Sequence, residues 1–273
     1  MLKCGDWPIG ICSWSLQKDI TGVAEAMKEI GLSHVNLAVR SAVEDTTGRC
    51  LEEIKAQNWT ISSTMLNLPQ EDYSTLETIK ATGGVVPDDC WQRTRELFSG
   101  AVDVTAELGA KYILMHMGFI DESDRSGFNK LYERVRHLAD VAGEKGLKLL
   151  VETGQETAEE LRRFLEKMNH PAVVVNFDPA NIILYDKGDP IESVKTLAPW
   201  VRHIHIKDAI RTDKPGKWGT EVPWGQGQVG AGEFLKTLKK IGFEGVLAIE
   251  REAGDDRFDD IKMAAEMLSN FKE

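Results

Sequence analysis

Eight short apolar runs, each followed by a longer stretch of helical period, are the feature that most narrows the folds open to this chain. The runs are "IGICS" (9–13), "HVNLAV" (34–39), "WTISSTML" (59–66), "KYILMHM" (111–117), "LKLLVET" (147–153), "AVVVNFD" (172–178), "VRHIHIK" (201–207) and "GVLAIE" (245–250). Amphipathic segments such as "ITGVAEAMKEIG" and "TAEELRRFLEKMN" lie between them, and glycines suited to ending a helix recur at Gly31, Gly109, Gly146 and Gly242. A strand that is apolar throughout is covered on both faces, which implies a parallel sheet under helices. Eight such units in 273 residues predict an α/β fold, one (β/α)8 TIM barrel spanning residues 1–273, close to the usual size of about 250 residues. The competing arrangement is a doubly wound open sheet. That fold ordinarily carries a glycine-rich fingerprint after its first strand, and "ICSWSLQKDI" has none. Two long connections, 67–87 and 208–230, both follow strands and are expected at the C-terminal mouth, where loops of that length are usually functional.

Potential ligand or acid/base side chains sit at the ends of five of these strands: His116, Glu152, Asp178, His205 and Glu250. Barrel enzymes place their chemistry at those ends. Neighbouring side chains on a strand point to opposite faces. With Ile204 and Ile206 packed outward, His203 and His205 both point into the barrel, about 6–7 Å apart along the strand. The same phase turns Glu152, Asp178 and Glu250 inward and Val151, Phe177 and Ile249 outward. One imidazole and three carboxylates from four consecutive strands make an oxygen-rich site for one divalent metal ion. Such ligation suits Mn2+ or Mg2+, and the nitrogen donor tilts the choice toward Mn2+ or Co2+, with Zn2+ also open. The bland alternative is that each carboxylate is a solvated strand-end residue.

Other residues have two readings each. His116 is a substrate contact or second-metal ligand, or else a hydrogen-bonded rim histidine. His203, one layer deeper, orients a neighbour or packs in the core, or else is a ligand. Lys207 continues the inward phase to the rim, where it meets substrate or Asp178. Arg211 clamps a substrate oxygen or is a solvated loop arginine. Asn181 faces the mouth or caps the next segment. Trp14 and Trp224 form an apolar wall for a sugar face or pack in the core.

Composition removes several classes of function. A net charge of −11 argues against broad contact with nucleic acid, whose affinity is mostly cationic neutralisation. No run of 18 apolar residues suggests a membrane span, and "MLKCGDWPIGICSW" lacks the features of a signal peptide. Cys4, Cys12, Cys50 and Cys90 fit neither CxxC spacing nor a disulfide framework. Free thiols in a reducing cytoplasm are expected.

"VETG" around Glu152, "NFDPAN" around Asp178, "RHIHIKDAIR" around His205 and "GFEGVLAIER" around Glu250 together resemble the xylose isomerase-like barrel superfamily of sugar and sugar-phosphate isomerases and epimerases. The succession "HIHIKD…VPWGQGQVGAGEFLKTLKKIGFEGVLAIE" is similar to ketose 3-epimerases and L-xylulose-5-phosphate 3-epimerase-type enzymes. The resemblance runs from about Gly10 to the C-terminus and is strongest from Lys148 to Glu252. It implies that Glu152, Asp178, His205 and Glu250 bind one divalent metal, that Glu152 and Glu250 are the acid/base pair, and that Arg211 binds substrate. A small carbohydrate substrate and a homo-oligomer of two or four chains follow by the same analogy. One departure concerns the third position after Asp178. Tagatose-type epimerases and inosose dehydratases carry histidine there, and this chain has Asn181, as phosphoketose epimerase-like members do.

The implied reaction is proton transfer beside a ketose carbonyl through a metal-stabilised enediolate, with Glu152 and Glu250 on opposite sides of the sugar carbon. An inosose dehydratase-like lyase is the nearest rival, since the same groups can expel a β-hydroxyl. An apurinic endonuclease shares the barrel but needs more histidines than the six present and a basic face. A non-catalytic sugar-binding barrel is the remaining alternative.

Overall fold

Parallel strands with two apolar faces need cover on both, and here the sheet closes on itself. In the computed structural model, which describes residues 2–272, the barrel strands are β1 (Trp7–Cys12), β2 (His34–Ala38), β3 (Thr60–Met65), β4 (Tyr112–Met115), β5 (Lys148–Glu152), β6 (Val173–Phe177), β7 (Val201–Ile206) and β8 (Leu247–Ile249). They pair in chain order, all parallel, and the ring closes where Leu247 of β8 lies opposite Ile9 and Gly10 opposite His34. A short strand, Lys3–Cys4, runs antiparallel to β1.

The alternation expected from sequence governs the packing. Leu114, Leu150, Val174 and Met65 form a small cluster inside the ring. Their neighbours Ile113, Leu149, Val151, Val173, Val175, Phe177, Ile204, Ile206 and Ile249 join the large core between strands and helices. Phe177 stacks on Phe234 of the helix Ala231–Lys240, ring centroids 6.0 Å apart. The helix Ala158–Met168 shows how local signals start such an element. Thr157 and Glu160 form a reciprocal capping box, and Leu161, Phe164, Leu165 and Met168 line the buried face.

Both long mouth segments carry secondary structure of their own, which alternating patterns of strand and helix do not reveal. Segment 67–87 contains the helix Leu76–Thr82. In 208–230 the strands Asp208–Ile210 and Thr220–Val222 pair antiparallel. The remainder of that loop folds around one carboxylate. Asp208 Oδ2 accepts from the backbone N–H groups of Gly225 and Gly227, and Oδ1 from those of Ala209 and Val229. A Cβ on Gly227 would lie 2.2 Å from Asp208 Oδ1, which explains the glycine spacing of "GQGQ". Trp224 belongs to the core: it is 4 % exposed and packs on Phe234, not on the mouth.

Gly84 joins the first of these segments to the β4 loop. Its φ is +66°, and a Cβ there would stand 2.2 Å from the Met117 carbonyl. Gly48 has a similar φ, +74°, with nothing within 4 Å of the position of a Cβ. Gly84→Ala is therefore expected to cost about 2–4 kcal/mol by denaturant unfolding. Gly48→Ala should cost only the left-handed backbone term of about 1–2 kcal/mol. Equal losses would show that the contact with Met117 carries no weight.

Candidate metal centre

The inward positions at the strand ends converge on one imidazole. His205 Nδ1 lies 3.0 Å from Glu152 Oε1, 3.2 Å from Glu250 Oε2 and 3.8 Å from Asp178 Oδ2. Among the described residues, one ligand atom from each of these four side chains falls within 4.8 Å of all the others. All four are buried, Glu250 the most exposed at 5 %. Short distances are not matched by hydrogen-bond geometry: both ring nitrogens of His205 and Asp178 Oδ2 have no hydrogen-bond partner. Buried polar atoms that approach without pairing converge on a point instead of on one another.

Charge gives a second test of fit. Three carboxylates face one ammonium, that of Lys207, whose Nζ is 3.0 Å from Glu250 Oε2 and 3.7 Å from Asp178 Oδ2. With His205 neutral the set carries two uncompensated negative charges, the complement of a divalent cation. Three oxygen donors and one imidazole suit Mn2+, Mg2+, Co2+ or Zn2+. The residues present fit such an ion.

Other groups hold the cluster in shape. Trp14 Nε1 donates to Glu250 Oε1 at 2.8 Å, and its ring meets His205 edge-on. Burial works against ionising Glu250, but Lys207 and His205 outweigh it and hold the carboxyl well below its ordinary range. Burial pushes Asp178 the other way, against the pull of Lys207. Asp178 also caps the helix Pro179–Leu184: its Oδ1 accepts from the N–H groups of Ala180 and Asn181, leaving Oδ2 free to face the cluster. His203 lies below, its Nδ1 2.8 Å from Asn176 Oδ1 and its Nε2 3.1 Å from Ser62 Oγ.

A family model described as xylose isomerase-like TIM barrel matches residues 24–271. The chain belongs to that family. A xylose isomerase domain protein from Planctomyces limnophilus has a solved structure that superimposes with a TM-score of 0.84 at 30% identity, over 96% of this chain and 95% of that one. An inosose dehydratase from Bacillus cereus is 26% identical over 46% of this chain and 47% of its own length. A ketose 3-epimerase from Arthrobacter globiformis is 26% identical over 57% of this chain and 54% of its own. The chain thus spans about half the length of the curated relatives it matches.

Within this xylose isomerase-like barrel the remaining sequence candidates fall into two groups. His116 joins the cluster: its Nε2 is 3.4 Å from Glu152 Oε2, its Nδ1 has no hydrogen-bond partner, and the Tyr73 ring lies against it. Asn181 does not. Its amide donates to the Thr153 carbonyl, bracing the β5 loop. Arg211 has its guanidinium held by Asp186 and by the Gly188 carbonyl.

The fold brings in residues that motif reading passed over. Cys12, at the end of β1, forms a second donor set with His205 and Glu250, and burial pushes its thiol up to about 12. Its phase on β1 points inward, like that of the four strand-end residues. Glu252 and Glu221 flank Lys207 at 2.7 Å and 3.9 Å. Glu71, in the 67–87 segment, accepts from the N–H groups of Gly84 and Leu68. Nothing in local sequence marks Glu71, Glu221 or Glu252, since each reaches the mouth from a segment beyond a barrel strand. No helix among the described residues is long and apolar enough to cross a membrane.

Glu156, just beyond β5, supplies a pH dependence separate from the cluster. It is 2 % exposed, its Oε1 lacks a partner, and burial pushes its carboxyl to about 8 from an ordinary 4.5. The folded chain keeps this proton where the unfolded chain has released it. The stability it contributes is therefore full below about pH 4.5 and is lost as pH rises through about 8. Thermal unfolding of Glu156→Gln should show its largest gain over wild type at pH 9 and little difference at pH 4.5. A difference in Tm that does not change with pH would contradict this.

Proposed function

We propose that this chain is a divalent-metal-dependent isomerase or epimerase of sugars or sugar phosphates, acting by proton transfer next to a ketose carbonyl. The supporting observation is that Glu152 and Glu250, from strands three apart around the ring, reach the same imidazole while each keeps a second oxygen for another partner. Glu152, Asp178, His205 and Glu250 would hold the ion. When bound, it supplies Lewis acidity, drawing electron density from the carbonyl and making the neighbouring C–H more acidic.

The side chains do the proton work. Glu152 is the better placed base, because its Oε2 faces His116 Nε2 and a proton taken from carbon can move on to that ring. Glu250 is held at Oε1 by Trp14 and at Oε2 by Lys207, so its orientation is fixed from two sides. Lys207 Nζ also keeps a proton available beside Glu250 for return to the opposite face of the sugar. The barrel walls exclude water from these carboxylates, which strengthens each charge interaction. His203 positions the His205 strand through Asn176 and Ser62.

A lyase is the second reading, with the proton beside Glu250 delivered to a leaving oxygen instead of to carbon. An ammonium 3.0 Å from Glu250 can protonate a departing β-hydroxyl, and inosose dehydratases are among the curated relatives. Both readings use the same proton abstraction, so the product separates them.

Solvent deuterium entering a panel of ketoses and inososes, followed by NMR on metal-loaded protein, is the test. Exchange at a single carbon with a stereoisomer or positional isomer as product supports the first reading, and loss of water supports the second. Glu152→Gln and Glu250→Gln should each lower kcat by about 10²–10⁴-fold. Wild-type turnover by both variants would refute the assignment. His205→Ala should weaken metal binding measured by calorimetry, with Lys207→Met leaving the metal stoichiometry at one.

A further inference from the structure

Beside the metal centre lies a small cavity of about 210 Å³, formed where three mouth segments meet. Leu76, Glu77 and Lys80 come from the helix after β3, Phe119 from the loop after β4, and Tyr185 and Lys187 from the end of the helix after β6. This volume is ample for one acidic substituent of a sugar. We propose that the cavity is the subsite for an anionic group, carboxylate or phosphate, on the sugar turned over at the metal centre. The proposal rests on the function proposed above and names its substrate class.

Position links the cavity to the chemistry. Phe119 lies three residues beyond His116, and its ring meets that of Tyr185 edge-on at 5.9 Å. The Tyr185 hydroxyl accepts from Gln155 Nε2, three residues beyond Glu152, and its ring packs on Trp218 at 4.7 Å. Tyr185 therefore forms a wall that the cavity shares with the strand-end loops.

Charge selects the ligand. Lys187 has no carboxylate within ion-pair distance among the described residues, and burial pushes the carboxyl of Glu156, an acid within its electrostatic reach, up to about 8. Asp186 beside it is committed to Arg211. Lys80 shares its charge only with the exposed Asp121 at 3.3 Å. Glu77 is the one acidic side chain in the lining, against the two ammonium groups of Lys80 and Lys187, and Lys187 is the cation with no ion pair among the described residues. An aliphatic and aromatic floor with two ammonium groups at the rim suits an acidic substituent on a carbohydrate.

Inorganic phosphate and gluconate, titrated separately into the metal-loaded protein by calorimetry, test the subsite without requiring turnover. At least one should bind saturably to wild type, weaken about tenfold in K80M/K187M, as expected for losing a charge-assisted contact, and tighten in Glu77→Gln. Whichever anion binds identifies the phosphorylated or the acidic class. Saturation by neither, or equal binding by K80M/K187M, overturns the proposal; an anion seated on the metal alone would give the second result. If anion binding follows the lysines but no ketose exchanges a proton, the reaction proposed above fails and the subsite stands. If neutral ketoses exchange and no anion binds, the reverse holds.

Discussion

Burying a carboxylate costs several kcal/mol unless a counter-charge is buried with it, and this barrel buries three around one imidazole. Lys207 answers one of them. Burial also pushes the Asp178 carboxyl up, and the geometry of Glu152, Asp178, His205 and Glu250 is one of convergence and not of mutual hydrogen bonding, an arrangement that fits a cation. Much of the mouth can be read as a response to that charge. Asp178 divides its oxygens between a helix N-terminus and the cluster, Trp14 fixes one oxygen of Glu250, and Lys207 the other.

The surrounding loops are held by the same kind of interaction, at less cost because each charge is paired. Arg251 joins Glu221 of the Thr220–Val222 strand to Asp260 of the C-terminal helix, and Glu221 in turn accepts from the backbone N–H groups of Glu252 and Ala253. Asp208 gathers four backbone donors and shapes the loop that follows β7. Arg134 does comparable work across the mouth, donating to the carbonyls of Val85 and Val86. Ordered loops over a rigid ring let side chains from distant segments, such as Lys80 and Tyr185, line one cavity.

Much of this was legible in the sequence because a strand has a period of two and a barrel has one inside. Once Val151, Phe177, Ile204 and Ile249 are assigned to the helix side, Glu152, Asp178, His205 and Glu250 follow as inward, and the structure places them together. The same logic applied to β1 would have brought in Cys12. The loop residues were not legible in this way. Arg211 follows His205 by six positions, yet the turn of its hairpin carries the guanidinium to Asp186. Asn181 shares a helix with the cap it supports and spends its amide on Thr153.

By itself the amino-acid order determined the strand count, the closure into a parallel ring and the side of each strand that faces inward. All three depend on apolar spacing along the chain, and burial acts on that spacing directly. Only the tertiary structure decided which inward groups meet, because meeting depends on the stagger between strands. A register shift between β6 and β7, for instance, sets Asn176 opposite His203 and lets the two hydrogen-bond beneath the Glu152, Asp178, His205 and Glu250 cluster. The fold also decided that Lys80 and Lys187, 107 positions apart in "LETIK" and "YDK", line one cavity. No local pattern encodes that distance, since three separate loops must be folded before it exists.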